Sequence, residues 1–594
     1  MTYSIISIKT FGHLPVLPEL SFFTTKILVP GQIIKARIMG RSMSAIVTKI
    51  DHVSIQKQNL RKSRFILKQL VSEESAVILD QNFIGLTQTL ATHNQTEISH
   101  ILNLVLPRFD ILKGLNRFHV NIRNQSYESR RSEIVCAPNQ YFAEQNAKLL
   151  SRETGSLVLV HPKLSPKETV KRIDSFINGK VKLAVITPQY LSILGSSASS
   201  ITIGHAGENY RSALTPKMDQ RVYIEAYTKA SKCELRYEDR IQPIDRADKV
   251  GSFRYSRTGL ERTHPKFVFV DTRKQNESNP HLRGLSQESI DLVNSAVKNN
   301  DRVLIVCARK GLAPVSACRD CGALILCNKC GATLTLRSSV YKTTYFCYRC
   351  KLEETTERVC KQCGSWNIKA LGAGIEKILS AVQHYWPHQS NIVISRDTQP
   401  SMASAARKVD NTARQVGIVL AIDSVVPYLH TRFAHVIVLG SDTLLASPSY
   451  GARELLYRHL RQLKQITEQT LLIQTKTPNS SFFNQIKEEN DRTFAQSELA
   501  ERKQFGYPPF ITLVKISVDT SYTKHRELME KALALGQAYN ASCIQTGIPG
   551  ARNSRLVLII KVATELWPND ELSANLETLT STRTSIEVNP TDLS

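Results

Sequence analysis

The chain has 594 residues, which is too many for a single hydrophobic core, so about three to five domains are expected. Lys and Arg number 77 against 52 Asp and Glu, and the resulting net charge of +25 favours a polyanionic partner such as nucleic acid. No apolar run reaches the length of a membrane span, and the first residues lack the charged and apolar regions of a secretory signal. We therefore expect a cytoplasmic protein with no membrane partner.

The first part of the chain, residues 1–107, is predicted to begin with a small β-rich barrel. Short β-rich runs surround a turn at Pro30-Gly31, and residues 58–107 have the apolar spacing of helices. Basic side chains punctuate the β-rich runs, as expected of a barrel with a charged face: Lys35, Arg37, Arg41 and Lys49.

The remainder is predicted to be α/β and α+β. Strands and helices alternate over residues 112–285 and again over 286–480, and this alternation indicates two lobes that each contain a parallel sheet. Residues 490–594 contain two strands separated by a helix and are predicted to form an α+β domain. The fold class expected for the whole chain is multidomain α/β.

Eight cysteines within the second lobe, in the segment 315–366, fall into four Cys-x-x-Cys pairs. Such a turn places two thiolates at a spacing that suits tetrahedral zinc, so eight ligands predict two zinc ions per chain. The hairpin between the second and third pairs is expected to bring the inner pairs together, which leaves the outer pairs to share the other ion. The predicted outer ligands are Cys318, Cys321, Cys360 and Cys363, and the inner ligands are Cys327, Cys330, Cys347 and Cys350.

The glycines and aromatic residues of the cysteine segment, and the cysteines outside it, also allow predictions. Glycines follow three of the pairs, where a positive φ is expected: Gly322, Gly331 and Gly364. Aromatic residues around the hairpin have two possible roles, stacking on unpaired bases or packing the small module: Tyr341, Tyr345, Phe346 and Tyr348. Four scattered cysteines are interpreted as buried or incidental thiols: Cys136, Cys233, Cys307 and Cys543.

Three stretches resemble the PriA family of primosomal replication-restart proteins. They are residues 306–378, which contain the cysteine pairs, residues 498–510, which read ELAERKQFGYPPF, and the ending IEVNPTDLS. Residues 28–50 also resemble that family's amino-terminal DNA-binding barrel, and the order of all these stretches is the same.

The resemblance implies a DNA-binding amino-terminal domain that recognises 3′ ends, two helicase-like lobes and a carboxy-terminal domain that contacts branched DNA. It implies binding of abandoned or branched forks, primosome assembly and reloading of the replicative helicase. Implied partners are forked or single-stranded DNA, single-strand-binding protein, other primosome proteins and the replicative helicase with its loader, acting with a monomer of this chain. The implied DNA contacts are Arg37, Arg41, Lys49, Arg309 and Lys310.

Helicase motifs of the family are missing from this chain. The phosphate-binding string Gly-x4-Gly-Lys-Ser/Thr occurs nowhere, and residues 118–130 stand in its place. Where the family carries its acidic motif, residues 201–210 keep Glu208 as a lone carboxylate. Where a late motor motif is expected, residues 456–467 predict a solvated or DNA-facing basic helix with Arg458, Arg461 and Lys464.

The sequence therefore favours a fork-binding protein with no catalytic residues of its own. Two alternatives stay open at this point. One is an active ATP-dependent 3′–5′ DNA helicase with an unorthodox nucleotide site, and the other is a zinc-ribbon adaptor that binds only proteins.

Overall fold

The computed structural model describes residues 4–11, 19–52, 67–115, 118–120, 132–247, 253–255, 264–274, 284–307, 315–318, 320, 325, 327, 334–338, 343–346, 352–355, 359–366, 368–371, 375–394, 404, 407–409, 411, 417–445, 449–519, 526–546, 555–579, 584–591 and 593. The chain divides into two compact units, the first made of Met1–Thr258, Glu565–Thr578 and Ile586–Val588. The second is made of Gly259–Thr564, Leu579–Ser585 and Asn589–Ser594. Within the described ranges, no helix has the length and apolarity needed to cross a bilayer.

The first unit opens with a mostly antiparallel six-stranded sheet. Its strands are β1 (Ser4–Phe11), β2 (Leu20–Thr24), β3 (Gln32–Ile38), β4 (Arg41–His52), β5 (Ser72–Leu79) and β6 (Phe118–Val120), in the order β2-β1-β4-β3-β5-β6. Successive side chains of a strand point to opposite faces. Ile33 and Ile46 thus pack into one apolar core, while Ile34 and Val47 pack into another, so both faces of the sheet are buried.

Three helices follow the fifth strand: α1 (Gln81–His93), α2 (Ile98–Val105) and α3 (Phe109–Gly114). The first is capped by Asp80, whose carboxylate accepts a 2.7 Å hydrogen bond from the backbone N–H of Phe83. These helices share a continuous core with the strands that follow, because Leu102 and Ile134 belong to the same buried cluster.

A six-stranded parallel sheet completes the first unit. Its strands are β7 (Glu133–Cys136), β8 (Val158–Val160), β9 (Leu183–Ile186), β10 (Ser200–Gly204), β11 (Glu234–Asp239) and β12 (Phe253–Tyr255). Its helices are α4 (Gln140–Thr154), α5 (Pro166–Ile177), α6 (Leu191–Leu194) and α7 (Gln220–Ser231). The order β12-β11-β10-β7-β9-β8 reverses direction at β7, and in such sheets ligands bind beyond the carboxyl ends of the strands at the reversal.

The second unit contains another six-stranded parallel sheet. Its strands are β13 (Lys266–Asp271), β14 (Val303–Cys307), β20 (Asn391–Ile394), β21 (Ile418–Ile422), β22 (Phe433–Leu439) and β23 (Thr467–Thr475), in the order β13-β23-β22-β14-β21-β20. Its helices are α8 (Gln287–Lys298), α9 (Ile375–Tyr385), α10 (Ser441–Leu445), α11 (Ala452–Ile466), α12 (Ser481–Glu488) and α13 (Asp491–Phe505). The strand β14 is buried at every residue, as in a sheet covered on both faces.

The strand β13 lies in the second sheet, although the predicted boundary of 112–285 assigns it to the first lobe. Lys266 aligns with Thr470 and Asp271 with Thr475 in a parallel pair with β23. Alternating strands and helices in a sequence predict a parallel sheet, but they do not tell which of two neighbouring sheets a strand at the boundary joins.

The remaining elements form an insertion and a carboxy-terminal sheet. The insertion between β14 and α9 contains β15 (Val315–Cys318), β16 (Thr335–Ser338), β17 (Thr343–Phe346), β18 (Glu353–Thr355) and β19 (Ile368–Leu371). The carboxy-terminal elements are β24 (Ile511–Asp519), α14 (Arg526–Ala538), β25 (Ser542–Thr546), β26 (Arg555–Ala563), α15 (Asp570–Thr578) and β27 (Thr584–Val588). The mixed α/β character predicted from the sequence is confirmed.

One buried histidine of the second unit predicts a pH-dependent stability. His459 on α11 is 5% exposed, and burial, helped by Arg458, lowers its pKa to about 4. An unfolded histidine titrates near pH ~6.5, so the unfolded chain binds the proton first as pH falls. The contribution of the neutral His459 ring to the free energy of unfolding is therefore complete above pH ~6.5 and is lost as the pH falls toward ~4. About 2 kcal/mol of this contribution is lost at pH ~5.

We expect the melting temperature of wild-type protein to fall between pH 7 and pH 5 by more than that of the His459→Leu variant. Thermal scans at the two pH values measure the difference, and the exposed His384→Leu on α9 is the matched control. An equal fall in wild type and His459→Leu would contradict the assignment.

Candidate metal centre and nucleic-acid interface

The cysteine module, residues 315–371, is closed at its base by two strands. The strand β15 pairs antiparallel with β19, in a register that sets Val315 opposite Leu371 and Cys318 opposite Ile368. Cys318, the first predicted ligand, therefore lies at the end of the β15–β19 strand pair that is nearer the rest of the module. The pairing brings the beginning and the end of the module together.

Three predicted outer ligands converge in the structure. The Sγ atoms of Cys318, Cys360 and Cys363 all lie within 4.8 Å of one another, and those of Cys318 and Cys363 are 3.6 Å apart. Four sulfurs at 2.3 Å from a tetrahedral zinc are about 3.8 Å from each other, so the cluster fits one such ion. Cys318 and Cys360 are buried and Cys363 is exposed, while Cys321 lies outside the described residues.

The second outer turn has the backbone geometry of a metal knuckle. The N–H of Gly364 donates to the carbonyl of Cys360, and the N–H of Cys360 donates to the carbonyl of Ser365, both at 2.8 Å. Gly364 has a φ of +72°, which confirms the positive φ predicted after this pair. The hydroxyl of Ser365 donates to the carboxylate of Asp320, a link between the two outer turns. Gly322 and Gly331 lie outside the described residues.

The inner ligand set is described only in part. Cys327 is 3% exposed and packs in a small apolar cluster with Ile325, Leu334 and Tyr345. Its three predicted partners, Cys330, Cys347 and Cys350, lie outside the described residues. The inner zinc therefore stays a prediction.

Of the four aromatic side chains predicted around the hairpin, the structure describes that of Tyr345. Tyr345 is 5% exposed in the apolar cluster, which favours packing over base stacking for this ring. Nothing is described for the rings of Tyr341, Phe346 and Tyr348. An aromatic residue that the sequence reasoning missed is Trp366, which follows the last cysteine pair and is 74% exposed.

The end of β10 lies in residues 201–210, where the resemblance predicts the acidic motif. His205 has a left-handed φ of +52°, and its Nε2–H donates to Oδ1 of Asn146 at 2.9 Å. Burial lowers the pKa of His205 to about 4, so the imidazole is neutral at physiological pH, and its ring centroid lies 4.6 Å from that of Phe142. The residue that follows β10 is thus a neutral imidazole fixed by a hydrogen bond and a ring contact.

Two carboxylates near this loop are neighbours of a guanidinium. Asp239 is 4% exposed and accepts hydrogen bonds from the backbone N–H groups of Gly207, at 2.5 Å, and Arg240, at 2.6 Å. Burial lowers the pKa of Arg240, and Asp239 and Glu208 oppose that shift electrostatically. A guanidinium that interacts electrostatically with both acidic residues disfavours a divalent metal there.

Further charges of the first unit neutralise one another. The guanidinium of Arg221 contacts Asp219 at 2.7 Å and Asp245 at 2.9 Å, and Arg246 contacts Glu225 at 3.0 Å. Burial alone would raise the pKa of Asp219, but the two arginines hold it well below its usual range. These groups stabilise the start of α7, which Asp219 caps, and are engaged inside the protein.

The basic side chains of α11 are also engaged internally. Arg461 lies 3.0 Å from Glu489 and 3.1 Å from Asp491, and Lys464 is hydrogen-bonded to Glu489. Arg458 pairs with a glutamate one turn earlier at 3.1 Å. The expectation of a solvated or DNA-facing helix is therefore wrong for these three residues. The partner of Arg458 lies on α11 itself, whereas Glu489 and Asp491 lie at the junction of α12 and α13, where the periodicity of α11 alone does not reveal them.

The predicted DNA contacts of the first sheet are only partly brought together. Arg37 and Arg41 flank the turn between β3 and β4, and both are exposed. Lys49 is exposed as well, but it lies eight residues further along β4, roughly 26 Å away, and pairs with Asp51 at 3.0 Å. Arg309 and Lys310 lie outside the described residues, as do residues 121–131, where the phosphate-binding string is missing.

The described geometry thus defines an α/β protein with two parallel sheets and a cysteine cluster suited to a metal. No protein-family model matches the chain. In sequence it is similar to the replication restart protein PriA of Thermotoga maritima, at 23% identity over 255 residues, 42% of this chain and 34% of that protein. The PriA of Haemophilus influenzae is 23% identical over 272 residues, 45% of this chain and 36% of that protein. A longer match joins it to the PriA of Chlamydia trachomatis, at 20% identity over 522 residues, 83% of this chain and 67% of that protein.

The resemblance to replication restart proteins is thereby confirmed at the level of sequence similarity. The matched part spans about a third of the length of the first two relatives. Among solved structures, the chain overlays loosely on the DUF1998 helicase MrfA bound to DNA, with a TM-score of 0.33, 10% identity, 77% of this chain and 59% of that chain. A DEAD box protein from Methanococcus jannaschii gives a TM-score of 0.27, 10% identity, 63% of this chain and 80% of that chain.

Proposed function

We propose that the chain binds abandoned or branched replication forks and promotes primosome assembly and reloading of the replicative helicase, without hydrolysing ATP. Sequence similarity to PriA over 83% of this chain carries the proposal, because that relative is a replication restart protein by name. The net charge of +25 supports a nucleic-acid partner. Single-strand-binding protein, other primosome proteins and the replicative helicase with its loader are the protein partners proposed with it.

The proposed division of labour follows the predicted domains. Residues 1–107 and 490–594 contact DNA, the two lobes provide a scaffold, and the cysteine module binds two zinc ions that stabilise it. Sites closed by four thiolates leave no open position for water activation, so both ions are structural. The sequestered charges of the first unit and of α11 support a scaffold role, because those groups already serve internal ion pairs.

DNA affinity is expected to fall steeply with salt, because phosphate contacts release counterions. A slope of log K on log salt of roughly −4 corresponds to several contacts and to about 250-fold weaker binding between 50 and 200 mM salt. Fluorescence anisotropy with fork, duplex and single-stranded DNA of several sequences measures it. Flat affinity, or no DNA binding at all, would favour the protein-only adaptor.

A pair of variants locates the contact surface. Replacing Arg37 and Arg41 by Gln should make the slope less negative by about 2, roughly one unit for each lost phosphate contact. Replacing the exposed Lys167 and Lys171 of α5 by Gln removes the same charge elsewhere and is the matched control. Equal effects of the two double variants would show that only net charge matters.

A further inference from the structure

The exposed ring of Trp366 stands apart from the other two tryptophans of the chain. Trp366 is 74% exposed, whereas Trp386 is 5% exposed and Trp567 is 8% exposed. An indole is highly buried on average, and an exposed one offers a ligand a flat apolar face together with a polar N–H.

The backbone that carries this ring is held on both sides. Before it, the N–H of Cys360 donates to the carbonyl of Ser365 at 2.8 Å, within the turn that supplies two metal ligands. After it, the N–H of Ile368 donates to the carbonyl of Trp366 at 2.7 Å, next to the strand pair at the base of the module. The ring therefore projects from a rigid support, which lowers the entropy cost of binding.

The surroundings of the ring distinguish between possible ligands. Within residues 359–366, all of them described, Val359 is the other exposed apolar side chain, at 40% exposure. The exposed residues between them include Lys361 and Gln362. A protein-binding site usually presents a contiguous apolar patch of several hundred Å², which the one ring and one valine exposed within residues 359–366 do not supply. A single flat ring among polar neighbours matches the size and the π-face of one base.

We propose that Trp366 is a stacking platform for one unpaired nucleobase of single-stranded DNA. This inference rests on the proposed DNA binding and adds a specific contact on the cysteine module. Stacking is tolerant of sequence because every base has a π-face, so the site takes any base and requires only that it is unpaired.

The fluorescence of the full chain tests the contact directly, because the two buried tryptophans provide a constant background. Titration of the zinc-loaded chain with oligothymidylate is expected to quench the emission of Trp366 and to shield it from acrylamide. Trp366→Leu, which keeps apolar bulk without a ring, should bind the same oligonucleotide about 5- to 150-fold more weakly. Trp366→Phe, which keeps a smaller ring, should lose less affinity than Trp366→Leu.

An abasic oligonucleotide of the same length separates stacking from every other contact. Wild type and Trp366→Leu should bind it equally well, and metal analysis should give the same zinc content for all three proteins. If wild type binds oligothymidylate and Trp366→Leu binds it equally tightly, the inference fails while the proposed DNA binding stands. If the wild-type chain binds no DNA at all, the proposed function fails and the inference fails with it.

Discussion

Replacing Cys360 by Ser is expected to lower the zinc content of the purified chain from two ions to one. The Sγ of Cys360 lies within 4.8 Å of those of Cys318 and Cys363, so its loss opens the outer site. Zinc binding by small four-ligand modules is coupled to folding, with apparent free energies of about 10–16 kcal/mol. The outer turns should therefore unfold locally, and limited proteolysis should cut between residues 315 and 371.

Three further variants make the result specific. Cys543→Ser changes an exposed cysteine outside the module and should keep both ions. Cys327→Ser should also remove one ion, and the double variant Cys327→Ser/Cys360→Ser should remove both. Metal analysis by mass spectrometry counts the ions. An unchanged count in Cys360→Ser, or a single ion in wild type that was never exposed to chelator, would contradict the two-site assignment.

Purified protein with fork DNA and Mg-ATP is expected to show no ATP turnover and no unwinding. Phosphoryl transfer needs phosphates cradled by backbone donors, a lysine on the transferring group and a metal held by a carboxylate. The chain contains no Gly-x4-Gly-Lys-Ser/Thr string, and Asp239 and Glu208 lie close enough to Arg240 to influence its pKa. Each missing part typically costs orders of magnitude in rate, and here several are missing together.

The assay needs a protein that controls for contaminating ATPases. The Cys360→Ser variant, purified in parallel, has the same missing motifs, so a trace contaminant should give both preparations the same residual rate. DNA-stimulated turnover of ~1 s⁻¹ in wild type, above that of a mock purification, would support the active-helicase alternative, since working kinases turn over at about 1–100 s⁻¹.

Features that depend on local sequence were predictable. The Cys-x-x-Cys spacing predicts turns that each carry two ligands, and the hairpin expected between the inner pairs predicts that the outer pairs meet, as Cys318, Cys360 and Cys363 do. The positive φ of Gly364 followed from the same local argument.

Features that depend on distant partners were not predictable in this way. The acidic partners of Arg461 lie 28 and 30 residues further along the chain, so the sequence of the helix by itself predicts a solvated face where the structure has ion pairs. The exposure of Trp366 and the burial of Tyr345 depend on how the module packs, which aromatic composition does not reveal. The inner cysteine set and the pair Arg309 and Lys310 stay predictions from sequence.

The strand pair at the base of the cysteine module has a consequence for the order of folding during synthesis. The outer ligands span only residues 318–363, and β15 and β19 close the module once residue 371 is available. The surrounding parallel sheet requires β13 to pair with β23, whose last residue is Thr475. At 5–20 residues per second, the ribosome needs roughly 5–20 s to make the intervening segment. The module can therefore capture the proposed zinc ions while the sheet around it is still incomplete, so that a shortage of zinc is expected to act on the nascent chain before the second unit has formed.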